Sequence, residues 1–305
     1  MRLLAYLLLL AAVSTFDHSA EGVPGYSLPP PPSAIVAKVM LDRHAGWAIG
    51  TAARSYVTLK TADGGCHWFA TGPAGFWPRL TREEMSENEA VENNPALSFV
   101  SPNVGAVATI AKDEDGNASA IRVAYTAHGG RRWIQTRFRT PDWTESVGIQ
   151  FADAKHGFIL ALSGPAAGMM EKRVYRTTDG SRTWHLAADG IGRGSFYPTG
   201  MTFRDALHGW IAATYHGEPD VPLYRSSDGG RTWHFQALPE PSVYKDGGYG
   251  NTNPPHFFGP QRMEGTLAAD YRNNDQNRYE TITYVTRDGG QTWRIGRRKQ
   301  TRSSP

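Results

Sequence analysis

Between Thr199 and Ala237 the chain alternates short apolar runs with tight polar breaks. The runs are five to seven residues long, rich in β-branched and aromatic side chains, and bounded by glycine, aspartate and serine, which is the pattern of strands rather than helices. Four strands are predicted: Thr199 to Phe203, Gly209 to Tyr215, Pro222 to Ser226 and Thr232 to Ala237. The break between the third and fourth is Ser226-Ser227-Asp228-Gly229-Gly230-Arg231-Thr232-Trp233. Its adjacent glycines can take positive φ, its aspartate can accept backbone N–H bonds across the turn, and its tryptophan offers a large apolar surface to pack beneath it.

The pattern Ser/Thr-x-Asp-x-Gly-x-Thr-Trp recurs along the chain. It returns as Thr61-x-Asp63-x-Gly65-x-His67-Trp68, as Thr177-x-Asp179-x-Ser181-x-Thr183-Trp184 and as Thr286-x-Asp288-x-Gly290-x-Thr292-Trp293. A weaker copy is Thr126-x-His128-x-Gly130-x-Arg132-Trp133, with histidine at the aspartate position. A second signature, roughly Phe-x-Asp-x-x-His-Gly-Trp, precedes each copy. Its glycine falls at 46, 105, 157 and 209, and in an eroded form at 265, so the units repeat every 52 to 59 residues. A repeat near 50 residues holding four strands implies an all-β fold, a β-propeller of four-stranded antiparallel blades with the eight-residue hairpin between strands three and four. Five blades are counted. Two insertions leave room for a sixth.

Those insertions are about 73–95 and 239–255. The first contains Thr81-Arg82-Glu83-Glu84, a capping box, and five glutamates up to Glu92, so a short acidic surface helix is expected. The second contains Tyr244, Gly247, Gly248, Tyr249 and Gly250. It reads as a mobile glycine–aromatic loop and a candidate binding loop through Tyr244 and Tyr249.

The ends differ from the repeats. Arg2 precedes an 11-residue apolar run from Leu3 to Val13. That is about half the roughly 20 residues a membrane-crossing helix needs. Residues 1–20 therefore read as a cleavable signal peptide, with a retained tether as the alternative. Residues 21–33 form a proline-rich linker, 34–298 the propeller and 299–305 a basic tail. The expected location is outside the cytoplasm, as an exported protein without a stable membrane span.

Composition changes little. Glycine (33), proline (20) and tryptophan (9) are high, as in turn-rich β proteins. A net charge of +3 gives no reason to expect nucleic acid. The lone Cys66 excludes an internal disulfide. His44, His156 and His208 fall at or near one repeat position, which favours a structural role over metal binding. No cofactor or metal is expected.

The eight-residue pattern resembles the Asp-box, or bacterial neuraminidase repeat. Paired with the Asp-x-x-His-Gly-Trp signature, it looks like the photosystem II assembly/stability factor family of propellers, over about residues 34–295. The resemblance implies a structural role for Asp63, Asp179, Asp228 and Asp288, placed with Trp68, Trp133, Trp184, Trp233 and Trp293 on the blade periphery. It also implies help in assembling or stabilising an envelope or membrane complex. The expected function is non-catalytic binding of a protein or a cell-envelope glycan or polymer. The alternative is a sialidase-like glycoside hydrolase on the same scaffold, drawing on Glu145, Glu171, Glu218, Asp220, Glu240, Glu264 or Glu280. The chain lacks the Arg-Ile-Pro element of such enzymes; Arg294-Ile295-Gly296 lies at the wrong end.

Overall fold

The computed structural model describes residues 34–52, 54–80, 95–113, 115–165, 170–191, 196–214, 221–241, 248–273 and 278–301. These residues form five antiparallel sheets, one per sequence unit. Blade 1 holds β1 (Ala34–Met40), β2 (Gly46–Ala52), β3 (Ser55–Thr61) and β4 (Phe69–Ala70). Blade 2 holds β5 (Ala96–Phe99), β6 (Gly105–Lys112), β7 (Ala118–Thr126) and β8 (Ile134–Arg139). Blade 3 holds β9 (Ser146–Phe151), β10 (Gly157–Leu162), β11 (Lys172–Thr177) and β12 (His185–Asp189). Blade 4 holds β13 (Tyr197–Phe203), β14 (Gly209–Thr214), β15 (Leu223–Ser226) and β16 (His234–Phe235). Blade 5 holds β17 (Gly248–Thr252), β18 (His256–Phe258), β19 (Glu264–Asn273), β20 (Arg278–Thr286) and β21 (Arg294–Thr301). The fold is a five-bladed β-propeller among the described residues.

The fifth blade departs from the sequence reading in three ways. Residues 248–252 are not loop: they pair with β19, from Gly248↔Asn273 to Thr252↔Ala269. With β18 they make a strand one interrupted at Asn253–Pro255, where two prolines cannot donate ladder bonds. The 239–255 insertion therefore completes blade 5 rather than contributing to a sixth. Finally, β21 continues to Thr301, so Lys299 to Thr301 lie within the strand and only 302–305 lie beyond it. The expected helix at 81–92, the signal segment and the linker all lie outside the described residues.

Strand one of every blade faces a common central channel, lined by Val39, Phe99, Phe151, Phe203 and Phe257 among others. The middle strands are buried on both faces: β10 and β14 each bury their first five residues. Adjacent blades lock through aromatic pairs. In three blades the aromatic side chain after the signature glycine receives a phenylalanine of strand one of the next blade. Trp47 stacks on Phe99 at 4.1 Å, Phe158 on Phe203 at 3.4 Å, and Trp210 meets Phe257 at 4.7 Å. Such pairs contribute beyond their buried area. Blade 2 carries Ala106 at this position, and Phe151 packs instead on Tyr125 and Trp184.

Because the strands alternate in direction, the connections sort onto two faces. One face takes the one-to-two and three-to-four turns. These are five and seven residues long, respectively, in every blade. The opposite face takes the two-to-three and blade-to-blade connections. These range from 2 residues (53–54) to 25 (71–95). The first is called here the turn face and the second the loop face.

Candidate functional site

The repeated turn consumes its own chemistry. In blade 4, Asp228 Oδ1 accepts from the Ser226 hydroxyl (2.9 Å) and from the N–H groups of Arg231 (2.9 Å) and Thr232 (3.0 Å). Its Oδ2 accepts from the Thr232 hydroxyl at 2.7 Å. The Ser226 oxygen in turn accepts the Gly230 N–H at 2.9 Å. Asp179 and Asp288 repeat this arrangement. Asp63 does so with His67, whose Nδ1 takes the place of the threonine hydroxyl at 2.6 Å. Partial burial raises the pKa of Asp179, Asp228 and Asp288, but the converging donors outweigh it and hold each at about 2. The His67 N–H and its neighbours pull Asp63 down as well. A carboxylate surrounded by donors on its own turn is a fastener, with nothing left to offer a substrate.

The five tryptophans close these turns unequally. Trp293 and Trp184 are buried, at 4% and 9% exposure. Trp68, Trp133 and Trp233 are half-buried. Trp133 reaches blade 1, donating from Nε1 to the Thr71 carbonyl at 3.0 Å.

The second signature is also structural. Asp153 and Asp205 each accept the N–H groups two and three residues on, and each lies within 2.9 Å of the Nδ1 of His156 or His208. Asp42 accepts the His44 and Ala45 amides in the same way. No three His, Cys, Asp or Glu side chains gather as a metal site among the described residues.

The channel has two chambers. Toward the loop face a cavity of about 520 Å³ is lined by aliphatic residues, Gly148, Gly200 and the rim prolines Pro95, Pro198 and Pro254, with Lys38 its charged side chain. Toward the turn face a cavity of about 430 Å³ is lined by the ring of phenylalanines, Gln150, His256, Arg204 and Arg262. Arg262 spans this mouth from blade 5, donating to the Ala152 and Arg204 carbonyls at 3.2 and 3.1 Å. Its backbone sits at φ 53°, a left-handed conformation unusual outside glycine. Among the described residues, neither chamber is lined by a carboxylate.

The enzyme reading needs carboxylates and a nucleophile elsewhere. Glu145, Glu171, Glu240 and Glu264 are exposed, while Glu280 is buried; Glu218 and Asp220 lie outside the described residues. Tyrosine and carboxylate come together in blade 5. Tyr271 and Tyr284 are fully buried and hydrogen-bond through their hydroxyls; Tyr284 also donates to the Pro239 carbonyl at 2.8 Å. Burial, with Glu240 and Glu280 nearby, pushes Tyr284 up to about 12 and Tyr271 further up. A nucleophilic phenol requires the opposite shift.

Of the candidate binding loop, Tyr244 lies outside the described residues. Tyr249 sits half-buried on β17, opposite Arg272. Sequence reasoning missed the sorting of long connections to one face and the buried tyrosine pair. Counting residues between strands could have found the first; the second depends on cross-strand register.

The class the fold defines is the β-propeller. No family model matches the chain, and no curated protein matches it. Solved structures share the architecture. A GH74 xyloglucanase from Xanthomonas campestris aligns with a TM-score of 0.50 and 13% identity, over 86% of this chain. The chain spans only 38% of that enzyme's length. YCF48 bound to a D1 peptide aligns with a TM-score of 0.42 and 16% identity, over 88% of this chain and 82% of that one. Aleuria aurantia lectin aligns with a TM-score of 0.47 and 10% identity, over 85% and 75%. These likenesses are of fold.

Proposed function

We propose that this chain is an exported, non-catalytic β-propeller that binds a protein or a cell-envelope component, in the manner of an assembly or stability factor. The observation that carries this reading is the lining of the central channel. Among the described residues, both chambers are walled by aliphatic, aromatic, proline and basic side chains, with no carboxylate placed to act as acid, base or nucleophile in glycoside hydrolysis. The repeated aspartates are tied into their turns, and the Tyr271–Tyr284 pair is held neutral by burial.

The test combines affinity capture from the native cell envelope with a screen of glycoside substrates. Enrichment of a reproducible partner without turnover is the expected result. Turnover abolished by replacing one of Glu145, Glu171, Glu240 or Glu264 with glutamine would sink the non-catalytic reading.

A further inference from the structure

The turn of blade 2 breaks the rule of its four counterparts. His128 stands where the others have aspartate, and Arg132 stands at the Thr/His position. Thr126 still caps the His128 and Gly130 amides at 3.1 Å. The Arg131 N–H turns instead to the His128 carbonyl, at 3.4 Å. Relative to Asp179 and Thr183 in blade 3, one negative charge is lost here and one positive charge gained.

The turn borders a groove of about 690 Å³ between blades 2 and 3. That size suits a short peptide or small molecule. Its apolar surface comes from Tyr125, Ala127, Trp133, Ile134 and Ala154, and its cations are Arg132, Lys155 and Arg182. Ile134 is 36% exposed, and the three cations are exposed. The lining carboxylate, Asp179, already accepts from Thr177, Arg182, Thr183 and the Thr183 hydroxyl. Arg182 holds the Asp179 carbonyl at 2.6 Å, whereas Arg132 and Lys155 have no carboxylate partner among the described residues. Uncompensated cations beside an apolar floor complement an anion that carries an apolar group.

We propose that the groove between blades 2 and 3 binds an acidic peptide segment, with carboxylates on Arg132, Lys155 and Arg182 and an apolar side chain on Trp133 and Ile134. The apolar floor favours a peptide over a uniformly polar anionic glycan. The proposal rests on the binding role above and assigns it a surface.

The probe is a synthetic five-residue peptide with a central phenylalanine flanked by glutamates, titrated by fluorescence anisotropy into the full chain. Controls are its glutamine counterpart and a polygalacturonate oligomer. The glutamate peptide is expected to bind at least about tenfold more tightly than the glutamine peptide, and to weaken as salt is raised. The decisive variant is His128→Asp with Arg132→Thr, which restores the repeated turn. It should lose at least about tenfold in peptide affinity while melting no lower than the wild type. Lys155→Ala, at an exposed side chain outside that turn, should weaken binding independently.

No saturable binding of the glutamate peptide, or unchanged affinity in both variants, would overturn the assignment. So would tighter binding of polygalacturonate than of the peptide. Glycoside turnover in the earlier screen would overturn the binding role by itself, whatever the peptide titration showed.

Discussion

Trp47 offers the most direct test of how the blades are held together. Its side chain is fully buried between blades 1 and 2. It stacks on Phe99 at 4.1 Å and takes the edge of Trp133 at 6.1 Å. Lys60 Nζ lies 5.0 Å from the ring centre. Its Nε1 is buried with no hydrogen-bond partner among the described residues. Two opposed terms follow. Removing a ring of about 200 Å² at about 25 cal/mol per Å² costs about 5 kcal/mol. The unpaired N–H already costs the native state about 1–3 kcal/mol, and any variant without it recovers that amount. Trp47→Ala should therefore destabilise by about 2–4 kcal/mol. Trp47→Phe keeps most of the stack, gives up about 1 kcal/mol of area and sheds the unpaired donor, so it should be neutral or stabilise by up to about 2 kcal/mol. The assay is urea unfolding followed by far-UV circular dichroism, with the slope checked so that midpoint shifts convert to free energy. A Phe variant as damaging as the Ala variant would refute the unpaired-donor argument. An Ala variant costing under about 1 kcal/mol would refute the packed blade interface.

Three further outcomes are expected. Trp293→Ala should cost about 3–5 kcal/mol and Trp233→Ala about 1–3, because Trp293 is 4% exposed and Trp233 is half-buried; equal urea midpoints would contradict the burial ordering. Asp179, Asp228 and Asp288 titrate at about 2 in the fold, against about 3.9 in an unfolded chain. Their stabilisation is therefore complete above about pH 4 and lost as pH falls toward about 2, and melting temperatures unchanged across that window at fixed ionic strength would contradict the fastener role. At the alkaline end, Tyr284 is held neutral up to about 12. Its contribution is present below the ordinary tyrosine pKa of about 10 and lost as pH rises toward about 12, so the 295 nm absorbance titration should show tyrosine ionising late, with loss of structure; all tyrosines titrating together near pH 10 in an intact fold would contradict the burial.

The parts of the fold that were legible in sequence are those made within one turn. Thr177, Asp179 and Thr183 bond to one another across at most six residues, so the chemistry of the hairpin is written in consecutive positions. The same locality made strand order within a blade readable, because each strand pairs with its neighbour in the chain. Where pairing is less local, the reading failed. Gly248-Tyr249-Gly250-Asn251-Thr252 lacks alternation and carries two glycines, so it looks like loop; β19, about twenty residues on, makes it a strand.

By itself the sequence determined that the chain is a repeat of four-stranded blades fastened by eight-residue turns, since turn chemistry and strand periodicity act over short distances. Tertiary structure alone decided which side chains meet across blades and across registers. It set the aliphatic, aromatic and basic lining of the channel, paired Tyr271 with Tyr284, and placed Arg132 beside Lys155 and Arg182. Those juxtapositions depend on how successive twisted sheets pack around a common axis, and that geometry is not encoded in the spacing of any one motif.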